Sequence, residues 1–128
     1  MGIPMKKLIS AAAAALLLFS ASASADVAQV WRCSLADGVD GDALEAISKE
    51  WLAKAREIDE NASIRAYFPI NADAEEGEYV FAFYLPDFAS WGAFMDAYPD
   101  SPVAEVDSGW DDVGPCDVSE LWYTNDFE

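Results

Sequence analysis

Apolar and polar side chains alternate along residues 26–128 in a pattern that predicts four β-strands and two main α-helices. Strand-like runs, rich in aromatic and β-branched residues, occupy residues 27–35, 64–70, 78–85 and 118–124. Residues 43–59 instead repeat apolar side chains every three or four positions, which predicts an amphipathic helix. Residues 88–98 predict a second helix, and residues 103–110 a further short helical turn. The predicted order of the main elements is therefore β-α-β-β-α-β.

Polar residues mark the predicted beginning of both helices. Asp42 is expected to cap the first helix, and Glu45 stands three residues later, which is the spacing of a capping box. Asp87 or Ser90 can cap the second helix with its side-chain oxygen. Each helix is thus predicted to start directly after a segment that favours a turn.

The character of each strand predicts its place in the sheet. The second strand carries Pro69, which has no N–H to donate to a neighbouring strand, so this strand belongs at an edge. The third strand, residues 78–85, is apolar almost throughout, which indicates burial on both faces and a central position. With the order of elements, these features predict an α+β fold of the ferredoxin-like type. Its four-stranded antiparallel sheet has the order 4-1-3-2, and its helices lie on one face.

The two cysteines are expected to form a disulfide. Cys33 lies near the end of the first strand, and Cys116 lies just before the last strand. In the order 4-1-3-2 these strands are antiparallel neighbours, which brings the two cysteines side by side. Disulfides persist in oxidising compartments, so a Cys33–Cys116 bond and export of the chain support each other.

The beginning of the chain has the three parts of a secretory signal peptide. These parts are a basic pair, an apolar region too short to span a bilayer and a small-residue cleavage site, at residues 6–7, 8–19 and 23–25. We expect cleavage after Ala25, a periplasmic or secreted location and a mature form without a membrane anchor. Residues 26–128 then form one domain.

Composition argues against several classes of function. After Ala25 the chain keeps five basic residues against 24 acidic ones, so it should repel nucleic acids and anionic lipid surfaces. It contains no histidine, which excludes a zinc site of the Cys/His type and a histidine base for a nucleophile. We therefore expect no cofactor and no nucleic-acid partner.

Clusters of aspartate are weak candidates for a calcium site. Asp37, Asp40 and Asp42 lie in the turn after the first strand, and oxygen-rich turns can bind calcium. Their spacing departs from that of an EF-hand loop, and Asp42 is also the predicted helix cap. A second cluster occurs at residues 107–112. Both clusters can equally be solvated acidic turns, and we predict no dedicated metal site.

The whole mature chain resembles the dimeric α+β barrel superfamily at the level of topology. The resemblance rests on the β-α-β-β-α-β order, the aromatic-rich sheet and the run YLPDFASW at residues 84–91. The superfamily includes antibiotic-biosynthesis-type monooxygenases, chlorite-dismutase-like proteins and stress-responsive barrel proteins, in which two sheets close a barrel around a pocket. It implies a homodimer with a small apolar ligand. The histidine that binds haem in some members has no counterpart in this chain.

Aromatic residues of the predicted sheet are the candidate ligand contacts. Trp31, Phe81 and Phe83 either line a cavity between the sheet and a second subunit or form the core of the domain or its dimer. Polar groups that could orient a ligand in such a cavity are Arg65, Tyr67 and Tyr84.

Three hypotheses for function follow. The leading one is a non-catalytic, exported binding or interaction module that is dimeric through its sheet, because no catalytic constellation accompanies the many aromatic residues. The alternative is a cofactor-free, oxygenase-like enzyme acting on a small apolar substrate, which rests on the resemblance of fold. The third is a calcium-binding module that uses the acidic turns.

Overall fold

The described residues form four β-strands and three α-helices. The computed structural model describes residues 26–70, 75–125 and 127, so the predicted signal peptide lies outside the described residues. The elements are β1 Val27–Ser34, α1 Gly41–Ile58, β2 Ser63–Tyr67, β3 Glu78–Leu85, α2 Phe88–Ala97, α3 Pro102–Ser108 and β4 Cys116–Tyr123. Short 3-10 turns follow α2 and α3. The predicted β-α-β-β-α-β order is confirmed, with α3 as the additional short helix.

The sheet is open, and its strands lie in the order β2-β3-β1-β4. Every neighbouring pair is antiparallel, with Trp31 of β1 opposite Phe81 on one side and Ser119 on the other. This is the predicted ferredoxin-like order read from the other edge. β2 is an edge strand as expected, and it ends at Tyr67, before Pro69.

The disulfide joins the end of β1 to the beginning of β4. Cys33 stands opposite Cys116 in the β1–β4 ladder, and their Cα atoms are 3.9 Å apart. The register shifts beside this pair, because Arg32 stands opposite Val118 and leaves Asp117 without a partner. The predicted bond is therefore confirmed, and it ties an edge strand to a central strand.

The core lies between the helices and one face of the sheet. Successive side chains of a strand point to opposite faces, so Tyr79, Phe81, Phe83 and Leu85 of β3 all point toward the helices and are buried. Trp51 of α1 packs edge-on against two of these rings, with centroids 5.6 Å from Phe81 and 5.0 Å from Phe83. Edge-to-face contacts of this kind add to the gain from burying the rings.

The prediction that β3 is covered on both faces is wrong for the single chain. On the second face Ala82 is buried, whereas Val80 and Tyr84 are only half-buried. Apolarity of both faces can mean a second covering layer, but here the described helices lie on one side only. The second face of β3 is therefore apolar, and no helix of the described residues covers it.

The cap of α1 also differs from the prediction. Asp40, not Asp42, accepts hydrogen bonds from the first turn, at 3.1 Å from the N–H of Asp42 and 3.2 Å from that of Ala43. The helix begins at Gly41, so Asp42 is already inside its first turn. Glu45 pairs instead with Lys49 one turn later, at 2.7 Å. At α2 the Asp87 alternative is confirmed, since its carboxylate accepts from the N–H of Ser90.

Candidate functional site

One face of the sheet is the candidate functional surface. The helices pack on the other face, and within the described ranges none covers this one. Because directly opposed residues share a face, the register assigns to it Ala28, Val30, Arg32, Ser34, Ser63, Arg65, Tyr67, Glu78, Val80, Ala82, Tyr84, Val118, Glu120 and Trp122. We call this set the open face.

The open face has a shallow apolar centre with larger aromatic side chains around it. Four residues of the two central strands on this face are small, namely Ala28, Val30, Val80 and Ala82. Tyr67 on β2 and Trp122 on β4 stand on the two edge strands and are exposed. A surface with small side chains at its centre and aromatic side chains on its two edge strands can bind either a flat apolar ligand or another sheet.

Charge on the open face differs from that of the chain as a whole. Arg32 and Arg65 are two of the five basic residues that follow residue 25. Arg32 lies 3.9 Å from Glu120 on the neighbouring strand, and this pair is exposed. The open face is therefore close to electrically balanced, while the rest of the chain is strongly negative.

Two tyrosine hydroxyl groups meet on the open face. The hydroxyl oxygens of Tyr67 and Tyr84 are 2.6 Å apart, which is a short hydrogen bond between neighbouring strands. Burial, followed by the contact with Tyr67, raises the pKa of Tyr84 to about 12. The Arg65 guanidinium opposes this shift because it favours the phenolate. Tyr84 thus remains protonated over the physiological range.

Removal of the Tyr67 hydroxyl is expected to lower the pKa of Tyr84. Tyr67→Phe deletes the hydrogen bond and leaves burial and the charge of Asp26 to raise this pKa, so Tyr84 should titrate closer to the usual value of 10.0. Absorbance of the phenolate, followed as the pH is raised, measures the change. Tyr123→Phe is the control, because it removes an exposed tyrosine that points away from the open face.

The same shift makes stability fall at alkaline pH. The unfolded chain loses the Tyr84 proton before the folded chain does, since the folded pKa is the higher one. The contribution of Tyr84 is complete below about pH 10 and is lost as the pH rises toward 12.

If Tyr84 titrates at the same pH in the Tyr67→Phe variant as in the wild type, the hydrogen bond is not a cause of the raised pKa.

A cavity opens at one end of the open face. Its volume is about 640 Å³, and it lies where β1 and β2 end and β3 and β4 begin. Tyr67, Phe68 and Val118 supply exposed apolar walls. The Cys33–Cys116 disulfide forms part of its boundary, and Arg32 brings a positive charge to it. This size is typical of sites for small organic molecules.

The predicted ligand contacts divide between the two faces of the sheet. Arg65, Tyr67 and Tyr84 lie together on the open face, as a shared site requires. Trp31, Phe81 and Phe83 point toward the helices, where Phe81 and Phe83 are buried in the core. Trp31 is partly buried and packs against that core, so the six residues do not surround one cavity.

Sequence reasoning missed Phe68, Val118 and Trp122, which are among the most exposed apolar side chains of the described residues. The signal was present in the alternation of β4. Trp122 stands an even number of residues from Val118, so both share one face of the strand.

The aspartates proposed for calcium do not form a ligand set. Asp40 uses its carboxylate as the cap of α1, and Asp42 contributes its backbone to that cap. No group of three acidic, cysteine or histidine residues in the part of the chain that the structure describes is arranged to hold a metal ion. The region around Asp37 is therefore an acidic turn before a helix.

Comparison with known proteins identifies the class of fold. No protein-family model and no curated protein sequence matches the chain. The solved structure of At3g17210 from Arabidopsis thaliana is similar, with a TM-score of 0.57 and 13% identity over 80% of this chain and 96% of that one. A mutant of SnoaB, a cofactor-independent oxygenase from Streptomyces nogalater, has a TM-score of 0.52 and 14% identity over 80% of this chain and 94% of that one.

These likenesses define the protein as a ferredoxin-like α+β protein whose topology resembles that of α+β barrel proteins. At 13% and 14% identity they concern the fold alone. Within the described ranges, no helix is both long and apolar enough to cross a membrane. The disulfide favours a location outside the cytoplasm.

Proposed function

We propose that this protein is an exported binding module that dimerises through its open face and holds a small apolar ligand. The observation that carries the proposal is an uncovered sheet face with exposed aromatic side chains and a cavity of about 640 Å³ at one end. Export is supported by the signal-like residues 1–25 and by the disulfide.

A second copy of the chain is the proposed partner of the open face. Contiguous exposed apolar surface on a protein usually marks an interaction site. Two copies of so acidic a chain repel each other over most of their surface, whereas on the open face Arg32 and Arg65 balance Glu78 and Glu120. This face is therefore the one on which another copy meets the least repulsion.

The cavity gives the dimer a ligand site. Its walls combine apolar side chains with a few polar groups, the composition of pockets for small organic molecules. A second sheet laid over the open face would close the cavity from above and remove it from water. A ligand with an apolar body and one acceptor group fits, because Arg32 can donate to the acceptor.

Substitutions of two adjacent residues of β4 test this proposal, and the oligomeric state of each variant is the measurement. Trp122 and Tyr123 are 56% and 65% exposed, but only Trp122 lies on the open face. We expect the wild type, expressed from residue 26, to be a dimer by light scattering after size exclusion. Trp122→Glu should be a monomer at the same concentration, because it places a charge in the contact, while Tyr123→Glu should remain a dimer.

Two results would count against dimerisation through this face. One is a wild type that stays monomeric at several hundred micromolar in added salt, which screens the repulsion between acidic copies. The other is equal loss of the dimer in both variants, since this would point to pairing along the β4 edge. Circular dichroism of each variant verifies that its monomer is folded.

A second candidate, an oxygenase-like enzyme without a cofactor, is favoured by one specific observation. Arg65, Tyr67 and Tyr84 bring three polar groups together beside the apolar centre of the open face. A pair of phenols beside a guanidinium could orient an electron-rich aromatic substrate. Oxygen uptake with a panel of dihydroxyaromatic compounds, in the presence of a chelator, tests it. Uptake that survives unchanged in a Tyr67→Phe, Tyr84→Phe double variant would remove these residues from the reaction.

A further inference from the structure

A second and smaller cavity lies on the opposite side of the sheet from the open face. Its volume is about 210 Å³. It lies between the two central strands, α1, α3 and the segment after α3, and its walls are Trp31, Trp51, Phe81, Trp110, Asp107, Asp111 and the disulfide-bonded Cys116. The cavity therefore consists almost entirely of aromatic rings and carboxylates, a combination that the proposed dimer does not use.

The aromatic rings stand around Phe81. The ring centroids of Trp110, Trp51 and Trp31 are 4.9, 5.6 and 5.9 Å from that of Phe81. The planes of Trp51 and Trp110 make angles of 82° and 69° with the Phe81 ring. A cation is attracted to the face of an aromatic ring when it lies within about 6 Å of the ring centroid, and all four of these rings line the one small cavity.

The indole N–H groups of two of these rings are already engaged. Trp51 Nε1 donates to Asp107 Oδ1 at 2.8 Å, and Trp110 Nε1 donates to the Tyr79 hydroxyl at 3.0 Å. These two tryptophans therefore offer a ligand their ring surface and not a hydrogen-bond donor. An anion would find few donors in this cavity.

Within the described part of the chain, the carboxylates of the cavity have no cationic partner. Asp107 accepts from Trp51 and from the Tyr98 hydroxyl, which are both uncharged donors. Among the described residues neither Asp107 nor Asp111 forms an ion pair, and no basic side chain lines the cavity. Burial raises the pKa of Asp107, while the two donated hydrogen bonds oppose that shift. A cation next to Asp107 would relieve the cost of keeping it ionised.

We propose that this cavity binds a small quaternary ammonium ion, a cation whose nitrogen carries only carbon substituents. Such an ion is weakly hydrated, gains from aromatic surfaces and needs no hydrogen-bond acceptor. A metal ion is a poorer occupant, because no three ligating groups of the described chain converge. The site lies on the other face from the proposed dimer contact, so either proposal can fail without the other.

Calorimetric titration with choline chloride tests this site, with sodium chloride keeping the ionic strength constant. The discriminating control is the uncharged alcohol 3,3-dimethylbutan-1-ol, in which a carbon atom replaces the charged nitrogen of choline. We expect saturable binding of choline, quenching of tryptophan fluorescence and no saturable binding of the alcohol. A peptide that carries trimethyl-lysine forms a second arm: tighter binding of this peptide would assign the same site to a protein ligand.

Three isosteric variants locate the site. Asp107→Asn keeps an oxygen that accepts from Trp51 but removes the charge, and we expect choline affinity to fall at least about tenfold. Asp111→Asn should weaken binding to a smaller extent, because Asp111 is exposed. Asp112→Asn is the matched control, since this neighbour is equally exposed and does not line the cavity.

The proposal is overturned by any of three results. The first is the absence of saturable choline binding, and the second is equal binding of the uncharged alcohol. The third is a choline affinity that neither Asp107→Asn nor Asp111→Asn lowers more than Asp112→Asn does. If Asp107→Asn fails to fold, as thermal unfolding would reveal, Asp111→Asn against Asp112→Asn decides the question alone.

Discussion

Replacing Cys33 and Cys116 together with serine is expected to lower the free energy of unfolding by about 4 kcal/mol and to leave the fold intact. The bond closes a loop of 83 residues. In the chain-entropy model, a loop of this length restricts the unfolded chain by roughly 4 to 5 kcal/mol. Urea denaturation followed by tryptophan fluorescence measures the loss.

The fold should survive because β1 is held independently of the sulfur atoms. It pairs along its length with β3 and β4, and beside the disulfide the Ser34 N–H donates to the Pro115 carbonyl at 3.0 Å. A reducing agent supplies the control. It should destabilise the wild type by a similar amount and leave the double variant unchanged. A wild type with the same stability in both conditions would show that the bond contributes little.

A methyl group at Gly114 is expected to destabilise the protein by about 2 to 3 kcal/mol, since overpacking and loss of buried hydrogen bonds both contribute. A Cβ on Gly114 would meet the Tyr79 hydroxyl and lie 3.0 Å from Tyr79 Cε1. The Tyr79 hydroxyl is itself buried. It donates to the Gly114 carbonyl at 2.6 Å and accepts from Trp110. Gly114→Ala therefore forces a buried, hydrogen-bonded ring to move.

A double-mutant cycle tests the cause of that loss. In a Tyr79→Phe background the hydroxyl is gone, so Gly114→Ala should cost markedly less than in the wild type. Gly109→Ala is the matched control, because its Cβ would lie at an ordinary distance of 3.6 Å from the Val106 carbonyl. Equal costs of Gly114→Ala in both backgrounds would contradict the contact with Tyr79.

The elements that the sequence predicted well are those with a strong local signal. Residues 78–85 were predicted as a strand, and β3 has these bounds. β2 lies at an edge as predicted, although Pro69, on which that prediction rested, follows the end of the strand, and the cysteines correctly paired β1 with β4. The cap of α1 was misplaced by two residues, because both Asp40 and Asp42 are good capping residues and only the path of the turn selects between them.

The candidate site was predicted less completely, although part of the error was avoidable. Phe83 and Tyr84 are consecutive in a strand, so they cannot point to the same face. Alternation alone therefore separates Phe81 and Phe83 from Tyr84, whereas the side of Trp31 follows only from the register of β1 and β3. It does not tell which set the helices cover, because β3 is apolar on both faces.

The sequence by itself determined the order of the elements, the antiparallel sheet and the partner of each cysteine, because these follow from periodicity, proline and spacing along the chain. Only the tertiary structure decided which face of the sheet is open. It also brought Trp31, Trp51 and Trp110 around Phe81, and placed Asp107 beside them. These residues come from four separate segments, and their contacts depend on how helices pack on a sheet, which no local pattern of side chains encodes.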